Sequence, residues 1–140
     1  MNCLIDTCVI SELAKKKPEQ RVAAWISGIE ESKLFLSVLT IGELLKGIEK
    51  LPDGGRRKTL LRWVNEDLQE RFSGRIAVFD LQAAAVWAKI QAEAEAAGRV
   101  MPVMDSMIAA TAIANNLAIA TRNISDMEAS GAVLINPWDM

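Results

Sequence analysis

The amino-acid sequence predicts an α/β domain of three layers, in which helices cover both faces of a five-stranded, mostly parallel sheet. Five short apolar segments alternate along the chain with segments of helical period, as in proteins built from repeated strand–helix units. The chain has 140 residues, a common length for one domain, and no linker divides it. We therefore expect residues 1–140 to form a single domain.

The first half of the chain contains two predicted strands, each followed by helices. The strand segments are short and apolar, whereas the helical segments repeat apolar residues every three or four positions. The strands are Met1–Ile5 and Leu34–Ser37, and the helices are Cys8–Lys15, a segment that begins near Pro18, and Leu39–Ile48. A Pro-Asp-Gly-Gly turn at residues 52–55 ends this half.

The second half contains three more predicted strands and three helices. The strands are Ile76–Phe79, Leu117–Thr121 and Ala132–Ile135, and the helices are Arg56–Phe72, an alanine-rich helix from a cap at Asp80 to Ala97, and Met104–Ala114. Asp105 is the only charged residue of the last helix. Because a helix that is apolar on every side is packed on every side, this carboxylate should be partly buried beside a partner or a metal ion.

The composition excludes several kinds of catalysis. The chain has no histidine, so it cannot form a Ser-His-Asp or Cys-His triad or use paired imidazoles to cleave RNA. Two cysteines without histidine cannot build a usual zinc site, whereas clustered carboxylates suit Mg²⁺ or Mn²⁺. The formal net charge of −2 argues against a protein that coats nucleic acid by bulk positive charge.

We expect the chain to be cytoplasmic and to have no contact with a membrane. The sequence shows neither a secretory signal pattern nor an apolar run of about 18 residues. Its two cysteines, Cys3 and Cys8, are therefore predicted to be free thiols buried as small hydrophobic residues.

Four acidic residues follow a predicted strand or begin a predicted helix, namely Asp6, Glu43, Asp105 and Asp126. Each also has a purely structural interpretation. Asp6 and Asp105 could cap helices, Asp126 could open an exposed helical turn, and Thr40-Ile41-Gly42-Glu43 fits a capping box.

The joint placement of the four acids favours a common site. The carboxyl ends of parallel strands lie along one edge of a sheet, so acids beyond the first, second and fourth strands can converge there. Carboxylates held together without a cation repel and raise one another's pKa values. The sequence therefore predicts a centre for a divalent metal ion, with helix capping as the alternative.

A series of motifs along the whole chain resembles the PIN domain, and within it the VapC-type toxins of bacterial toxin–antitoxin pairs, in particular the FitB-like branch. The motifs are Leu4-Ile5-Asp6-Thr7, Thr40-Ile41-Gly42-Glu43-Leu44, Asp105-Ser106-Met107-Ile108-Ala109-Ala110-Thr111-Ala112, Ala120-Thr121-Arg122-Asn123 with Asp126, and Asn136-Pro137-Trp138. The resemblance implies a PIN fold and an endoribonuclease that depends on Mg²⁺ or Mn²⁺. It also implies that Asp6, Glu43, Asp105 and Asp126 are the catalytic and metal-binding acids.

The same resemblance implies supporting residues and partners. Thr121 and Asn123 match positions that support the acids by hydrogen bonding, and Thr7 places a hydroxyl beside Asp6. The implied partners are an RNA substrate, a cognate antitoxin and a second copy in a homodimer. The antitoxin is expected in an exposed apolar groove that includes part of the Trp25 and Trp63 helices.

The chain departs from the family pattern at three positions. Cys8 stands where relatives usually carry Asn or Ser, Met127 replaces a common aromatic residue, and Asn123 is often an acid. These departures leave open whether one metal ion or two would bind.

Two other functions are compatible with the sequence. The chain could be a non-catalytic interaction module that acts with its antitoxin as a DNA-binding co-repressor, or a phosphoryl-transfer domain in which Asp6 is phosphorylated. Basic residues near the Pro-Asp-Gly-Gly turn could either contact RNA phosphates or form a solvated helix face. These residues are Lys46, Lys50, Arg56, Arg57, Lys58 and Arg62.

Overall fold

The computed structural model describes residues 1–140 and contains the five predicted strands in one sheet. They are β1 (Cys3–Ile5), β2 (Leu34–Ser37), β3 (Ile76–Ala77), β4 (Ala118–Ala120) and β5 (Leu134–Ile135). The strand order is β3-β2-β1-β4-β5, and every neighbouring pair is parallel. The predicted parallel α/β sheet is confirmed, although β3 and β5 are shorter than the apolar segments that predicted them.

Helices connect the strands and cover both faces of the sheet. They are α1 (Thr7–Leu13), α2 (Gln20–Ser27), α3 (Val38–Glu49), α4 (Gly55–Arg62), α5 (Gln69–Arg71), α6 (Leu81–Ala96), α7 (Val103–Ala114) and α8 (Ile124–Met127). None of them combines the length and the apolar character that a bilayer-crossing helix needs.

The central strand shows why the fold has three layers. Successive side chains of a strand point to opposite faces of a sheet. Cys3 and Ile5 lie in one apolar cluster with residues of α1 and α2, whereas Leu4 lies in a second cluster with residues of α6 and α7. All three side chains are buried, so β1 has a hydrophobic core on each side.

The predicted helix over residues 56–72 is not one continuous α-helix. A π-helical segment, Trp63–Leu68, separates α4 from α5. Val64, Leu68 and Phe72 are all buried, and each follows the last by four residues. Because an α-helix has about 3.6 residues per turn, this spacing drifts around its surface, and the wider π-turn keeps the three side chains facing the core.

The strand order places a crevice at the carboxyl end of β1. The chain passes from β1 to β2 on one side, whereas β4 pairs with β1 on the other side. In open α/β sheets, ligands bind at such a reversal of strand order. Asp6 follows β1 directly at this point.

Candidate active site

Asp6 is fixed at both of its carboxylate oxygens. It caps α1, where Oδ1 accepts a hydrogen bond of 2.8 Å from the Thr7 backbone amide. Oδ2 accepts a hydrogen bond of 2.6 Å from the Thr121 hydroxyl. The residue is only 2% exposed. Asp6 is thus a helix cap, as its structural interpretation predicted, and it also connects β1 with the end of β4.

Glu43 is held by a hydroxyl of another helix, and its capping-box interpretation is wrong. The N-cap of α3 is Ser37, whose hydroxyl accepts a hydrogen bond of 3.0 Å from the Leu39 amide, so Glu43 lies in the second turn. Its Oε1 accepts a hydrogen bond of 2.7 Å from the Thr7 hydroxyl. The Thr7 hydroxyl also lies 3.2 Å from that of Thr40, and this contact ties α1 to α3.

Asp105 has no hydrogen-bond partner. It lies in the first turn of α7, whose N-cap is Pro102, so it is not a cap. Burial raises the pKa of its carboxyl from 3.8 to about 6, and the charges of Asp6, Asp126 and Glu43 add to the rise. The fold therefore brings the four acids close enough to interact electrostatically, with Asp105 in the field of the other three.

The fourth acid, Asp126, is exposed on the short helix α8. This placement agrees with its interpretation as part of an exposed helical turn. Nearby, the Asn123 backbone amide donates a hydrogen bond of 2.9 Å to the Thr121 hydroxyl. Asn123 thus supports Asp6 indirectly, through Thr121 and by its backbone.

The chemistry of the four acids fits a divalent cation. As the side chains stand, no group of three or more acidic or cysteine side chains is arranged to hold one ion. Asp105, however, is a partly buried carboxylate without a partner, and its raised pKa is the effect that a nearby cation would reverse. Oxygen ligands of this kind suit Mg²⁺ and Mn²⁺. The residues that would hold such an ion are Asp6, Glu43, Asp105 and Asp126.

Both thiols are free, as predicted, but only Cys3 is a buried hydrophobic residue. Cys8 is partly buried, and its sulfur lies 3.6 Å from Oδ2 of Asp6. The sulfur also accepts a hydrogen bond of 3.4 Å from the Arg122 amide. Burial, followed by the charge of Asp6, raises the pKa of this thiol. Cys8 therefore acts as a weak polar neighbour of Asp6.

Met127 fills the core below the site. It is fully buried and belongs to the apolar cluster of α6 and α7. A flexible thioether side chain can occupy the space of an aromatic ring in such a cluster.

Two grooves meet along α3, where Glu43 and Gly47 line both of them. The first, which we call the apolar groove, has a volume of about 450 Å³ and is bordered by Thr7 and Glu43. Its hydrophobic lining consists of Ala14, Leu44, Ile48, Leu51, Leu60 and Trp63. The predicted apolar groove thus includes Trp63, whereas Trp25 lies outside it, in a cavity with Met1 and Cys3.

The second groove, which we call the lysine groove, has a volume of about 540 Å³. Its lining consists of Val38, Leu39, Gly42, Glu43, Lys46, Gly47, Lys50 and Met104. It was not predicted from the sequence.

Two polar groups near the acids were also missed by the sequence analysis. Thr40 was considered only as part of a capping box and of a family motif, although its buried hydroxyl lies beside that of Thr7. Lys46 was not separated from the other basic residues of its region. Its spacing of three residues from Glu43 could have singled it out, because residues three apart share a helix face.

Strand topology and acid placement together define an α/β domain with an acidic centre at the carboxyl edge of a parallel sheet. Residues 3–125 match the PIN domain, and the chain belongs to this family. VapC ribonuclease Y4jK of Sinorhizobium fredii is 39% identical over 136 residues, which cover 97% of each chain.

Solved structures agree with this assignment. The crystal structure of FitAcB from Neisseria gonorrhoeae matches with a TM-score of 0.93 at 34% identity, over 99% of both chains. A structure of FitAB bound to an IR36 DNA fragment matches with a TM-score of 0.92 at 33% identity, over 99% of this chain and 96% of that one. The chain is thus a PIN domain of the VapC and FitB toxin type, as its motifs indicated.

Proposed function

We propose that this protein is the toxin of a toxin–antitoxin pair and that it hydrolyses RNA phosphodiesters with the help of Mg²⁺ or Mn²⁺. The observation that carries the proposal is Asp105, a partly buried carboxylate without a hydrogen-bond partner beside three other acids. Such an arrangement is unfavourable unless a cation offsets it. The similarity to a VapC ribonuclease supports RNA as the substrate.

Each acid would contribute differently to the reaction. Asp6 offers a carboxylate that Thr7 and Thr121 hold in one orientation, and Thr7 orients Glu43. Together with Asp105 these residues would hold the ion, and Asp126 would complete the cluster or hold a second ion. A bound ion would lower the pKa of a water molecule and offset the charge of the phosphoryl oxygens.

The products distinguish this chemistry from a mechanism that uses the 2′-hydroxyl of RNA. Attack by water needs no 2′-hydroxyl, so we expect 5′-phosphate and 3′-hydroxyl ends. End-group analysis by mass spectrometry of cleaved oligonucleotides tests this expectation. Products with 2′,3′-cyclic phosphates would contradict it.

Metal binding can be measured separately from cleavage. We expect calorimetric titration with MnCl₂ to show binding to the wild-type chain and much weaker binding to Asp105→Asn. Equal binding by both proteins would exclude Asp105 as a ligand.

We further propose that a cognate antitoxin binds in the apolar groove. This groove is lined by six hydrophobic residues and ends at Thr7 and Glu43, so an apolar segment bound there would reach the acids. Co-expression with the antitoxin and size-exclusion chromatography test the proposal. Leu51→Asp should release the antitoxin, whereas a stable complex of this variant would place the antitoxin elsewhere.

A DNA-binding co-repressor is the second candidate function, because one structural relative is FitAB bound to a DNA fragment. This function would require the antitoxin complex and not the acids. An antitoxin complex of Asp105→Asn that still binds operator DNA in a mobility-shift assay would support it. Loss of DNA binding in this variant would count against it.

We also propose a homodimer. Several large apolar side chains are exposed in the single chain, among them Leu81 at 87% and Val100 at 96%, and contact with a second copy would remove such side chains from water. Light scattering should give twice the mass of the chain, and a monomer at micromolar concentration would contradict the proposal.

A further inference from the structure

The lysine groove runs along α3 away from Glu43. Lys46 and Lys50 follow Glu43 by three and seven residues, which places all three on one face of the helix. At a rise of about 1.5 Å per residue, the lysines lie about 4.5 and 10.5 Å from Glu43 along the helix axis. The groove therefore has cationic groups at two points outward from the acidic centre.

Both lysines are free to bind an anion. Lys46 and Lys50 are exposed, and neither takes part in an ion pair of the structure. The nearest acid in sequence, Glu49, pairs instead with Arg57 at 2.8 Å. An ammonium group without a protein partner can contact a phosphate with no loss of an existing ion pair.

The surface beside the lysines is open. Gly42 and Gly47 line the groove, and a Cβ atom at either position would meet nothing within 4 Å. Val38 and Met104, which are 40% and 38% exposed, add apolar surface. The groove thus combines cations with room for bulky, partly apolar groups such as ribose and bases.

The apolar groove differs in charge. One of its two cations, Lys15, is already paired with Glu12 at 2.9 Å, which leaves Arg56 as its only cation without an ion pair. A polyanion is therefore better matched by the lysine groove.

We propose that the lysine groove is the path of the RNA substrate, with phosphates 3′ or 5′ of the scissile bond bound by Lys46 and Lys50. This assignment rests on the proposed ribonuclease function. It assigns different ligands to two neighbouring grooves along α3, RNA to the lysine groove and an apolar segment to the apolar groove. The two grooves share Glu43 and Gly47.

The direct test measures RNA binding without cleavage. Fluorescence anisotropy of a labelled single-stranded RNA oligonucleotide of mixed sequence, in chelator and at several KCl concentrations, compares the wild type with the double variant Lys46→Gln/Lys50→Gln. The matched control is Lys17→Gln/Lys89→Gln, which removes the same charge from exposed lysines that line neither groove.

We expect the Lys46/Lys50 variant to weaken binding on the order of tenfold. The slope of log K against log salt should fall by about 1.4, because each phosphate contact to single-stranded RNA contributes about 0.7. The control pair should change the slope by clearly less. Equal affinity and slope in the two double variants would overturn the proposal.

A neutral substitution tests the same path by shape. Gly42→Gln places a long side chain in open space of the lysine groove and favours the helix, so it should raise KM for cleavage. The matched control is Ala88→Gln, which adds the same side chain at an exposed helix position that lines neither groove and should leave KM near that of wild type. An unchanged KM in Gly42→Gln would count against the path. A wild-type chain that binds RNA through the lysines and never cleaves it would contradict the ribonuclease function alone.

Discussion

The two halves of the acidic centre are built differently. On the β1 side, hydrogen bonds hold Asp6 at both oxygens and Glu43 at one. On the α7 and α8 side, Asp105 and Asp126 accept no hydrogen bond, and the pKa of Asp105 is raised to about 6. The protein itself fixes the carboxylates of the first half by hydrogen bonds. It supplies no hydrogen-bond donor to the carboxylates of the second half.

This difference indicates which acids of the site contribute to stability and which contribute only to function. Removal of a fixed group should cost stability as well as activity, because its hydrogen-bonding partners lose their contacts. Removal of an unpartnered carboxylate should cost activity and increase stability.

Among substitutions of the acids that accept no hydrogen bond, Asp105→Asn should have the largest effect on cleavage. We expect cleavage to fall about a thousandfold, as when a group that stabilises transition-state charge is lost. The metal-free variant should nevertheless be more stable. A pKa shift of about two units corresponds to about 3 kcal/mol at full burial, and solvent screening of this partly buried group reduces our expectation to about 1 kcal/mol.

Cleavage assays and urea unfolding in chelator measure the two effects of Asp105→Asn. The control is Asp67→Asn, which changes an exposed acid and should leave cleavage intact. A variant that loses activity together with stability would show that Asp105 has a structural role.

Thr121→Val, on the hydrogen-bonded side of the site, should lower stability and activity together. The substitution removes the hydroxyl that donates to Asp6 and leaves a buried carboxylate oxygen without that donor. We expect a loss of about 1–3 kcal/mol in the free energy of unfolding, with weaker cleavage. Thr121→Ser should restore both properties, and a fully stable Thr121→Val would show that the hydrogen bond does not hold Asp6.

Thr7→Val tests the link between α1 and α3. The variant loses the hydroxyl contact with Glu43 but keeps the backbone amide that donates a hydrogen bond to Asp6. Because Glu43 is only partly buried, we expect a loss of about 0.5–1.5 kcal/mol in unfolding and a moderate decrease in cleavage. Rescue by Thr7→Ser would assign the effect to the hydroxyl.

The pH dependence of stability should reveal Asp105 in the metal-free protein. Between pH 3.8 and about 6, the folded state retains a proton on Asp105 that the unfolded state releases. The contribution of this group to stability is therefore present at low pH, decreases as the pH rises through this window, and is constant above it. Thermal melts should show a smaller decrease for Asp105→Asn than for wild type, and identical profiles would contradict the raised pKa.

The sequence predicted the fold because its strongest patterns are local. The sequence does not show that Cys3, Leu4 and Ile5 alternate between two faces, because a strand buried on both sides is apolar throughout. The short length of the segment nevertheless indicated a strand. The π-turn at 63–68 was missed because a four-residue spacing of apolar residues also fits a helix face. Only the packing of Val64, Leu68 and Phe72 distinguishes a π-turn from a continuous α-helix here.

The candidate site could be predicted in composition but not in its contacts. The apolar surroundings of Asp105 in sequence indicated partial burial, which is confirmed. In contrast, the cap of α3 at Ser37 was missed because Ser37 also ends a strand, and this error produced the wrong capping box at Glu43. The hydrogen bond between Thr7 and Glu43 joins residues 36 positions apart, and no local pattern predicts such a contact.

Cleavage of structured RNA by the purified, antitoxin-free chain tests the central proposal most directly. The assay compares wild type and Asp6→Asn, each with Mg²⁺, with Mn²⁺ and with chelator, after circular dichroism shows that both proteins are folded. We predict cleavage by the wild type only when a metal ion is present, and none by Asp6→Asn. Cleavage that persists in chelator, or equal cleavage by the two proteins, would contradict a metal-dependent acidic centre.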